Sequence, residues 1–204
     1  MKRRYIVAML LTLAASPTLA QSAPSPTQPI AVLNDGLHKI MLAGKATPFD
    51  TRMAGFTPVV LSVFDLPLIL QNSVGPGHWT DIPPADRATL LEVFTQFTVA
   101  SYVANFDSFS GETFALAPDV RHVGRDVVVQ TRIVGTAGEM TRLDYVMREV
   151  DGGWHVVDIL LDGSISRIAV TRSDFRSLLA DGGAQKLIAS LREKVASLKA
   201  GATQ

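Results

Sequence analysis

The chain contains no cysteine and no excess of either charge, with 19 basic and 19 acidic side chains in 204 residues. The absence of cysteine excludes a disulfide framework, a cysteine-ligated zinc and a thiol nucleophile. The absence of a basic excess argues against a non-specific nucleic-acid binder, which has to neutralise phosphates. Hydrophobic residues make up 47% of the chain, which is too many for a disordered protein. The length suits a single domain.

The first twenty residues have the three parts of a secretory signal peptide. A basic start (residues 2–4, KRR) precedes an apolar run of eleven residues (5–15) and the small residues of the sequence TLA, which ends at Ala20. The apolar run is too short for a transmembrane helix, which needs about 20 residues. We therefore predict export with cleavage after about Ala20, which leaves 16 basic and 19 acidic residues and a net charge of −3.

The rest of the chain is predicted to form one domain with flexible ends. Residues 21–29 (QSAPSPTQP) contain three prolines and small polar residues, a composition typical of a flexible linker. Residues 30–199 are predicted to form a single domain, and residues 200–204 a disordered tail.

Helical patterns fill the first half of this domain. Residues 30–45 have apolar residues at helical spacing. Residues 53–72 are almost wholly apolar, and we predict two short helices that turn at Pro58 and Pro67. A membrane span is the alternative for this segment, but the two prolines and Asp65 disfavour it.

The longest predicted helix covers residues 86–106, with Asp86 as its N-cap. Apolar side chains occur on two sides of this helix, and its far side is not polar. Such a helix is either central to the core or borders an apolar cavity. Both interpretations stay open at the level of sequence.

The second half of the domain changes to the period of β-strands. Residues 114–123, 126–134, 139–150 and 154–161 alternate or are β-branched, and short turns separate them, which predicts a four-stranded antiparallel meander. Two further helices follow, interrupted by Gly182 and Gly183. The predicted fold class is therefore α+β, with helices packed on an antiparallel sheet.

No catalytic, metal or cofactor site is predicted. The four histidines form no zinc-protease pattern, no serine lies in a Gly-x-Ser-x-Gly turn, and no phosphate-binding loop is present. Asp144 and Asp158 leave one enzymatic alternative, an isomerase or lyase whose carboxylate base points into an apolar pocket. Otherwise these carboxylates face water or pair with arginines such as Arg148 and Arg172, because carboxylates are rarely buried alone.

Four stretches in the last third of the chain resemble the MlaC family, also called toluene-tolerance auxiliary proteins. They are residues 143–145 (LDY), 154–159 (WHVVDI), 162–166 (DGSIS) and 172–175 (RSDF). Upstream, residues 63–67 (VFDLP), Val74, Gly75, Trp79, Arg87, Phe94 and Tyr102 follow in the family's order. Residues 163–167 (GSISR) differ from the family's usual Gly-Val-Ser-Leu and are similar to the hopanoid-associated HpnM branch.

This resemblance implies a periplasmic carrier of an apolar lipid, either a hopanoid or a phospholipid, between the inner and outer membranes. It also implies inner-membrane lipid transporter components as partners, transient membrane contact, and no catalysis, cofactor or nucleic acid. The implied fold is MlaC-like, with an NTF2-like or cystatin-like sheet and the N- and C-terminal helices around an apolar cavity. A non-catalytic adaptor, whose apolar surface binds a partner protein, is a further alternative.

Seven apolar side chains are the predicted wall of the lipid pocket. They lie on the helices and on one face of the sheet: Phe94, Phe97, Val129, Ile133, Tyr145, Met147 and Phe175. Aspartate at Phe97 or Met147 is accordingly expected to lower the lipid content without unfolding the protein.

Overall fold

Five helices precede an antiparallel sheet, and a long helical segment follows it. The computed structural model describes residues 25–202. The elements are α1 (Gln28–Ala43), α2 (Phe49–Val63), α3 (Leu66–Val74), α4 (Pro76–Asp81), α5 (Pro84–Asn105), β1 (Thr113–Val123), β2 (Asp126–Val134), β3 (Met140–Val150), β4 (Gly153–Leu161), β5 (Ile165–Ser166) and α6 (Arg167–Gly201).

The two ends of the domain differ from the sequence prediction. The predicted signal peptide and residues 21–24 of the predicted linker lie outside the described residues. Helix α1 begins at Gln28, inside the predicted linker, and α6 continues to Gly201, inside the predicted tail. None of the helices between residues 25 and 202 is long and apolar enough to cross a membrane.

The break between α2 and α3 lies at Phe64 and Asp65, so the prediction of a turn at Pro58 is wrong. Pro58 lies inside α2, and Pro67 occupies the first turn of α3, where no backbone N–H is needed. The Asp65 backbone N–H donates to the Val156 carbonyl on β4 (3.0 Å). Its carboxylate accepts from the backbone N–H of Leu68 (3.0 Å) and so starts α3. The N-cap and the bridge to the sheet, not the prolines, end one helix and begin the next.

Helix α5 begins two residues before its predicted start. Pro83 is the N-cap residue, so the prediction of Asp86 at that position is wrong. Asp86 lies in the first turn instead, and its carboxylate accepts a hydrogen bond from the Gln185 side chain of α6 (2.9 Å).

The sheet has five strands in the order β1-β2-β3-β4-β5, with every neighbouring pair antiparallel. The α+β class and the four-stranded meander are present as predicted, but the count of four is wrong because of β5. This strand has only two residues, which pair with Leu160 and Leu161 after a tight turn. Asp162 and Gly163 in that turn both have positive φ (50° and 76°). Two residues are too few to show the alternation that identifies a strand in a sequence.

Helix α6 is a hairpin of two helical segments that turns at Gly183. The backbone there has φ 62° and ψ −154°, a conformation that favours glycine. Before the turn, Phe175 packs edge-on against Phe94 of α5 (6.4 Å between ring centroids). After the turn, the Lys194 ammonium lies 5.7 Å from the centroid of Phe97 on the same helix. Helix α5 is therefore contacted by both segments of the hairpin, and the predicted interruption is confirmed at Gly183.

The core lies between one face of the sheet and the helices. On the sheet, Val127, Val129, Tyr145, Met147 and Val156 are at most 3% exposed. The helices α1, α2, α5 and α6 contribute their buried side chains to the same cluster, among them Leu33, Leu37, Phe56, Leu90, Leu187 and Leu191.

A salt bridge between Asp126 and Arg148 joins β2 to β3 on the partly exposed side of the sheet. Both carboxylate oxygens accept from the guanidinium at 2.7 Å, which holds the pKa of Asp126 below its usual value. Because the folded-state pKa is depressed, the pair stabilises the fold above the unfolded pKa of about 3.9. This contribution is lost as the pH falls through the folded-state pKa.

We therefore expect Asp126→Asn to lower the free energy of unfolding by about 1–2 kcal/mol at pH 7. The difference from the wild type should shrink as the pH falls below about 3.9 and disappear only below the depressed folded-state pKa, where the wild-type carboxylate is protonated as well. Urea denaturation at a series of pH values from 7 down to about 1.5 measures this. Asp119→Asn, at an exposed position on β1, is the matched control and should change stability little throughout the series. A deficit of Asp126→Asn that stays constant over the whole series would contradict the ion-pair explanation.

Candidate functional site

A cavity of about 240 Å³ lies between α3, α5, the start of α6 and the ends of β3 and β4. Ten of its lining residues are apolar: Phe64, Leu66, Ile69, Phe94, Phe97, Phe106, Leu143, Ile159, Leu161 and Ile168. The remaining lining residues are polar: Ser73, Thr98, Ser101, Tyr102, Asn105, Asp158, Arg167 and Thr171. A mainly apolar wall with a few polar groups is typical of a site for an apolar ligand.

Helix α5 forms one wall of the cavity and part of the core at the same time. Its residues 94, 97, 98, 101, 102 and 105 line the cavity at spacings of three and four, so they share one face. Leu90, Val93, Val99, Ala100 and Val103 are buried in the core. Helix α5 is therefore central to the core and also borders an apolar cavity, so both sequence interpretations are correct at the same time.

Hydroxyl groups on the α5 wall are satisfied within the helix. The Thr98 hydroxyl donates to the Phe94 carbonyl (2.9 Å), and the Ser101 hydroxyl donates to the Phe97 carbonyl (2.8 Å). A ligand that lies against this wall therefore meets few unpaired polar groups.

The Tyr102 hydroxyl is a titratable group of the cavity wall, and its pKa is raised. Burial raises its pKa well above the usual value, and the neighbouring Tyr145 adds to this, while the positive charge of Arg167 acts in the opposite direction. The phenol is therefore neutral over the physiological range. Phe56, Phe64 and Phe106 surround its ring at centroid distances of 5.6 to 6.1 Å.

Asp158 lines the cavity, but its carboxylate holds the chain in place. One oxygen accepts from the backbone N–H groups of Ile159 (2.8 Å) and Ile168 (3.1 Å), and the other accepts from the Ser166 hydroxyl (2.5 Å). These bonds attach the first turn of α6 to β4. Both oxygens are therefore occupied, which does not suit a general base.

Asp144 is fully buried and does not line the cavity. Arg142, two residues earlier on β3, holds it with two hydrogen bonds (3.0 and 2.7 Å). Gly163 leaves room for this guanidinium, since a Cβ at Gly163 would lie 2.5 Å from the Arg142 Cζ. The predicted arginine pairing occurs, but with other partners, because Arg148 binds Asp126 and Arg172 donates to the Asn72 carbonyl.

No candidate metal site accompanies these carboxylates. Between residues 25 and 202, no group of three histidine, aspartate or glutamate side chains lies close enough to share a metal ion.

Two of the seven predicted pocket residues, Phe94 and Phe97, line this cavity. The other five do not. Val129, Tyr145, Met147 and Phe175 are at most 2% exposed and belong to the core. Ile133 lies near the end of β2, half-buried, opposite Phe114 and Thr141.

The sheet contributes to the cavity through residues of β3 and β4 that the sequence prediction did not include. Leu143 lies on the same face of β3 as Tyr145 and Met147 but nearer the start of the strand, and it pairs with Leu161 of β4. Ile159 and Leu161 complete this part of the wall. The sequence did contain a signal for this part of the wall. Strand β4 is apolar on both faces, which predicts that other elements or a ligand cover it on each side.

Comparison with known proteins identifies the family. The sequence model of the MlaC protein family matches residues 33–193. This chain belongs to the MlaC protein family. The match is to the family as a whole, and membership of the HpnM branch stays a prediction. No curated protein matches the sequence.

A solved structure has the same fold as this MlaC-family chain. It is described as the phospholipid-binding protein from Ralstonia solanacearum in complex with a phospholipid. The two structures align with a TM-score of 0.73 at 21% sequence identity, and the alignment covers 86% of this chain and 99% of the other. The predicted MlaC-like α+β fold is thereby confirmed.

Some of the residues that carry the MlaC resemblance line the cavity, and others hold the elements around it. Residues 63–67 form the capped break from α2 to α3, which brings Phe64 and Leu66 to the cavity. Residues 162–166 form the turn, β5 and the start of α6, and Ser166 caps that helix by accepting from the Ala169 N–H (3.1 Å). Arg87 stacks on Trp79 (5.3 Å) and donates to the Ile82 carbonyl (2.8 Å), which fixes the approach to α5.

Proposed function

We propose that this MlaC-family protein is a periplasmic lipid carrier. It binds an apolar lipid, a hopanoid or a phospholipid, and takes it between the inner and outer membranes. It acts with inner-membrane lipid transporter components and touches the membrane only transiently. The observation that carries the proposal is the apolar cavity between α3, α5, α6 and the sheet, in a fold shared with a protein solved with a phospholipid bound.

The physical basis of carriage is the burial of the lipid's apolar body. Each Å² of apolar surface removed from water contributes about 25 cal/mol. Such binding needs apolar walls, and it does not need catalysis. The predicted signal peptide supports a periplasmic location, and the mature charge of −3 weakens adhesion to anionic membranes, which suits a protein that has to leave the membrane again.

The cavity has to widen in order to take a lipid. Its volume of about 240 Å³ is below the roughly 300–1,000 Å³ of typical ligand pockets. Helix α3 is the element suited to move, because it is only nine residues long and supplies Leu66, Ile69 and Ser73 to the wall. The bond from Asp65 to Val156 holds its start, and the bond from Arg172 to the Asn72 carbonyl (2.8 Å) holds its end.

Lipid carriage predicts that the mature protein purifies with lipid bound. Extraction with organic solvent followed by mass spectrometry should recover a hopanoid or a phospholipid in stoichiometric amount. We expect Phe97→Asp to lower this amount at least about tenfold, because a carboxylate on the apolar wall opposes burial of a hydrocarbon chain. The variant should stay folded, since Phe97 is only half-buried and the Lys194 ammonium lies beside its ring.

Phe109→Asp is the matched control for Phe97→Asp. Phe109 is 39% exposed and packs against His38 (4.8 Å), away from the cavity. This variant should keep its lipid. Protein that is lipid-free as purified, and that takes up neither hopanoid nor phospholipid, would contradict the carrier and favour the adaptor.

A further inference from the structure

A second cavity, of about 370 Å³, forms a groove between the turn from α3 to α4 and the first segment of α6. Val74 and Gly75 lie buried at its floor, and its exposed rim includes His78, Asp81, Arg172 and Arg176. No residue of this groove also lines the apolar cavity. The groove is therefore a separate space with charged walls.

The groove and the apolar cavity share two helices. On α3, Ser73 lines the cavity and Val74 lines the groove, and on α6, Thr171 lines the cavity and Arg172 lines the groove. Each of these pairs is consecutive in the chain. A movement of the end of α3 therefore changes the shape of both spaces at once.

Two positive charges and one negative charge line the groove. Arg172 and Arg176 are four residues apart on α6, so their side chains lie on one face of the helix. Arg176 makes no ion pair or hydrogen bond within residues 25–202, and Asp81 forms no ion pair with either arginine there. The Asp81 carboxylate opposes an anion in the groove, but the two guanidinium groups outweigh it. The groove is therefore suited to a carboxylate that reaches both arginines.

Arg172 holds the end of α3 against α6. Its Nε–H donates to the Asn72 carbonyl (2.8 Å), and Asn72 lies in the last turn of α3, where carbonyls have no partner within the helix. The side chain then runs along Gly75, since a Cβ at Gly75 would lie 3.8 Å from the Arg172 Cδ. The guanidinium charge also lies at the negative end of the helix, which it stabilises.

A carboxylate in the groove competes for this bond. Arg142 and Arg148 each bind an aspartate through Nε and one Nη. The same arrangement at Arg172 requires the Nε–H that now donates to Asn72. A hydrogen bond to a carboxylate is stronger than one to a neutral carbonyl, so an acidic group takes Arg172 away from α3.

We propose that this groove docks an acidic segment of a partner protein on Arg172 and Arg176, and that docking frees the end of α3 so that the apolar cavity widens. This inference rests on the proposed function and deepens it, because it names the surface and the chemistry that couple docking to the movement of the lipid.

A protein segment fits the groove better than a bilayer surface does. Contact with a bilayer requires exposed apolar side chains beside the basic ones, and none of the large apolar side chains exposed between residues 25 and 202 lines the groove. The floor at Val74 and Gly75 is buried. A protruding side chain reaches such a floor, whereas a flat layer of head groups does not.

An acidic peptide of defined sequence tests the docking site. The probe is fluorescein-labelled hexaglutamate, with hexaglutamine as the uncharged probe, at about 20 mM salt, where screening is weak. Fluorescence anisotropy measures their binding to the lipid-free and the lipid-loaded mature chain. Release is measured as the transfer of a fluorescent phosphatidylglycerol from the loaded chain to phosphatidylcholine vesicles, with and without unlabelled hexaglutamate. Sedimentation of the lipid-free chain with phosphatidylglycerol vesicles tests a membrane surface as the occupant.

We expect hexaglutamate, but not hexaglutamine, to bind and to speed lipid release at least about twofold. Arg172→Gln and Arg176→Gln should each weaken binding of the acidic peptide about two- to fivefold, the range of an exposed ion pair. Arg172→Gln should also speed release in the absence of peptide, because it removes the bond to Asn72. Asp81→Asn should strengthen peptide binding about twofold, because its carboxylate opposes the anion. Arg192→Gln, at an exposed position of the second segment of α6, carries the same charge change and should match the wild type in both measurements.

The outcomes keep the two hypotheses apart. A chain that takes up no phospholipid would contradict the carrier, and the peptide still tests the groove on the lipid-free chain. Hexaglutamate that binds no better than hexaglutamine, or that binds equally well to the double variant Arg172→Gln/Arg176→Gln, would overturn the docking site. Peptide binding that depends on both arginines but leaves release unchanged would overturn the coupling to α3. Sedimentation with vesicles that depends on both arginines, in a chain that does not bind the peptide, would assign the groove to a membrane surface and overturn the partner protein.

Discussion

Replacing Met147 with aspartate is expected to unfold the protein, with a loss of more than about 4 kcal/mol in the free energy of unfolding. Met147 is fully buried in the centre of β3, and its strand partners Val127 and Val156 are at most 3% exposed. A carboxylate at this position has neither water nor a cation beside it, which is the costliest kind of burial. Domains of this size have only about 5–15 kcal/mol of stability, so circular dichroism and urea denaturation should show a largely unfolded chain.

Met147→Leu is the control, because it conserves volume and should cost less than about 1.5 kcal/mol. The comparison with Phe97→Asp is the informative one. Both side chains were predicted from the sequence to border the pocket, but only Phe97 lines the cavity. A Met147→Asp variant that stays folded but has lost its lipid would show that Met147 borders the bound lipid. That result would contradict the assignment of Met147 to the core.

The strands and the two-sided character of α5 were predictable because the spacing of apolar residues indicates which side chains share a face. The spacing does not indicate which other elements cover that face. Leu143, Tyr145 and Met147 alternate correctly on β3, yet Leu143 lines the cavity and the other two lie in the core. The difference arises from where α3, α5 and the start of α6 lie on the sheet, and from the irregularity in the β3–β4 register between Val146 and Met147. These are tertiary features without a local sequence signal.

Tertiary contacts, and not the local preference of proline, also determine where the second helix ends. Proline is disfavoured in a helix interior, yet Pro58 lies inside α2. The helix instead ends just before Asp65, which caps α3 and donates a backbone hydrogen bond to β4. The same holds for the carboxylates. The carboxylates were predicted to pair with arginines such as Arg148 and Arg172, but the partner of Asp144 is Arg142 on its own strand.

This pairing leads to the second large effect, which is expected for Arg142→Met. Asp144 is fully buried, and both of its oxygens are bound by the Arg142 guanidinium. Removing Arg142 leaves the charge of the fully buried Asp144 without its partner, which is the destabilising half of breaking an ion pair. The Arg142 side chain is itself 41% exposed, so solvent screens part of the interaction. We expect a clear loss in the free energy of unfolding, measured by urea denaturation at pH 7. The double variant Arg142→Met/Asp144→Leu should recover most of it, because the buried charge is then absent.

Arg132→Met is the matched control for Arg142→Met, since Arg132 faces Arg142 across the β2–β3 pair and is exposed. Its removal takes away a like charge and should change stability by less than about 0.5 kcal/mol. If Arg142→Met proves equally mild, the Asp144 carboxylate does not depend on its arginine. A large loss that the double variant rescues instead assigns Asp144 to the stability of the sheet.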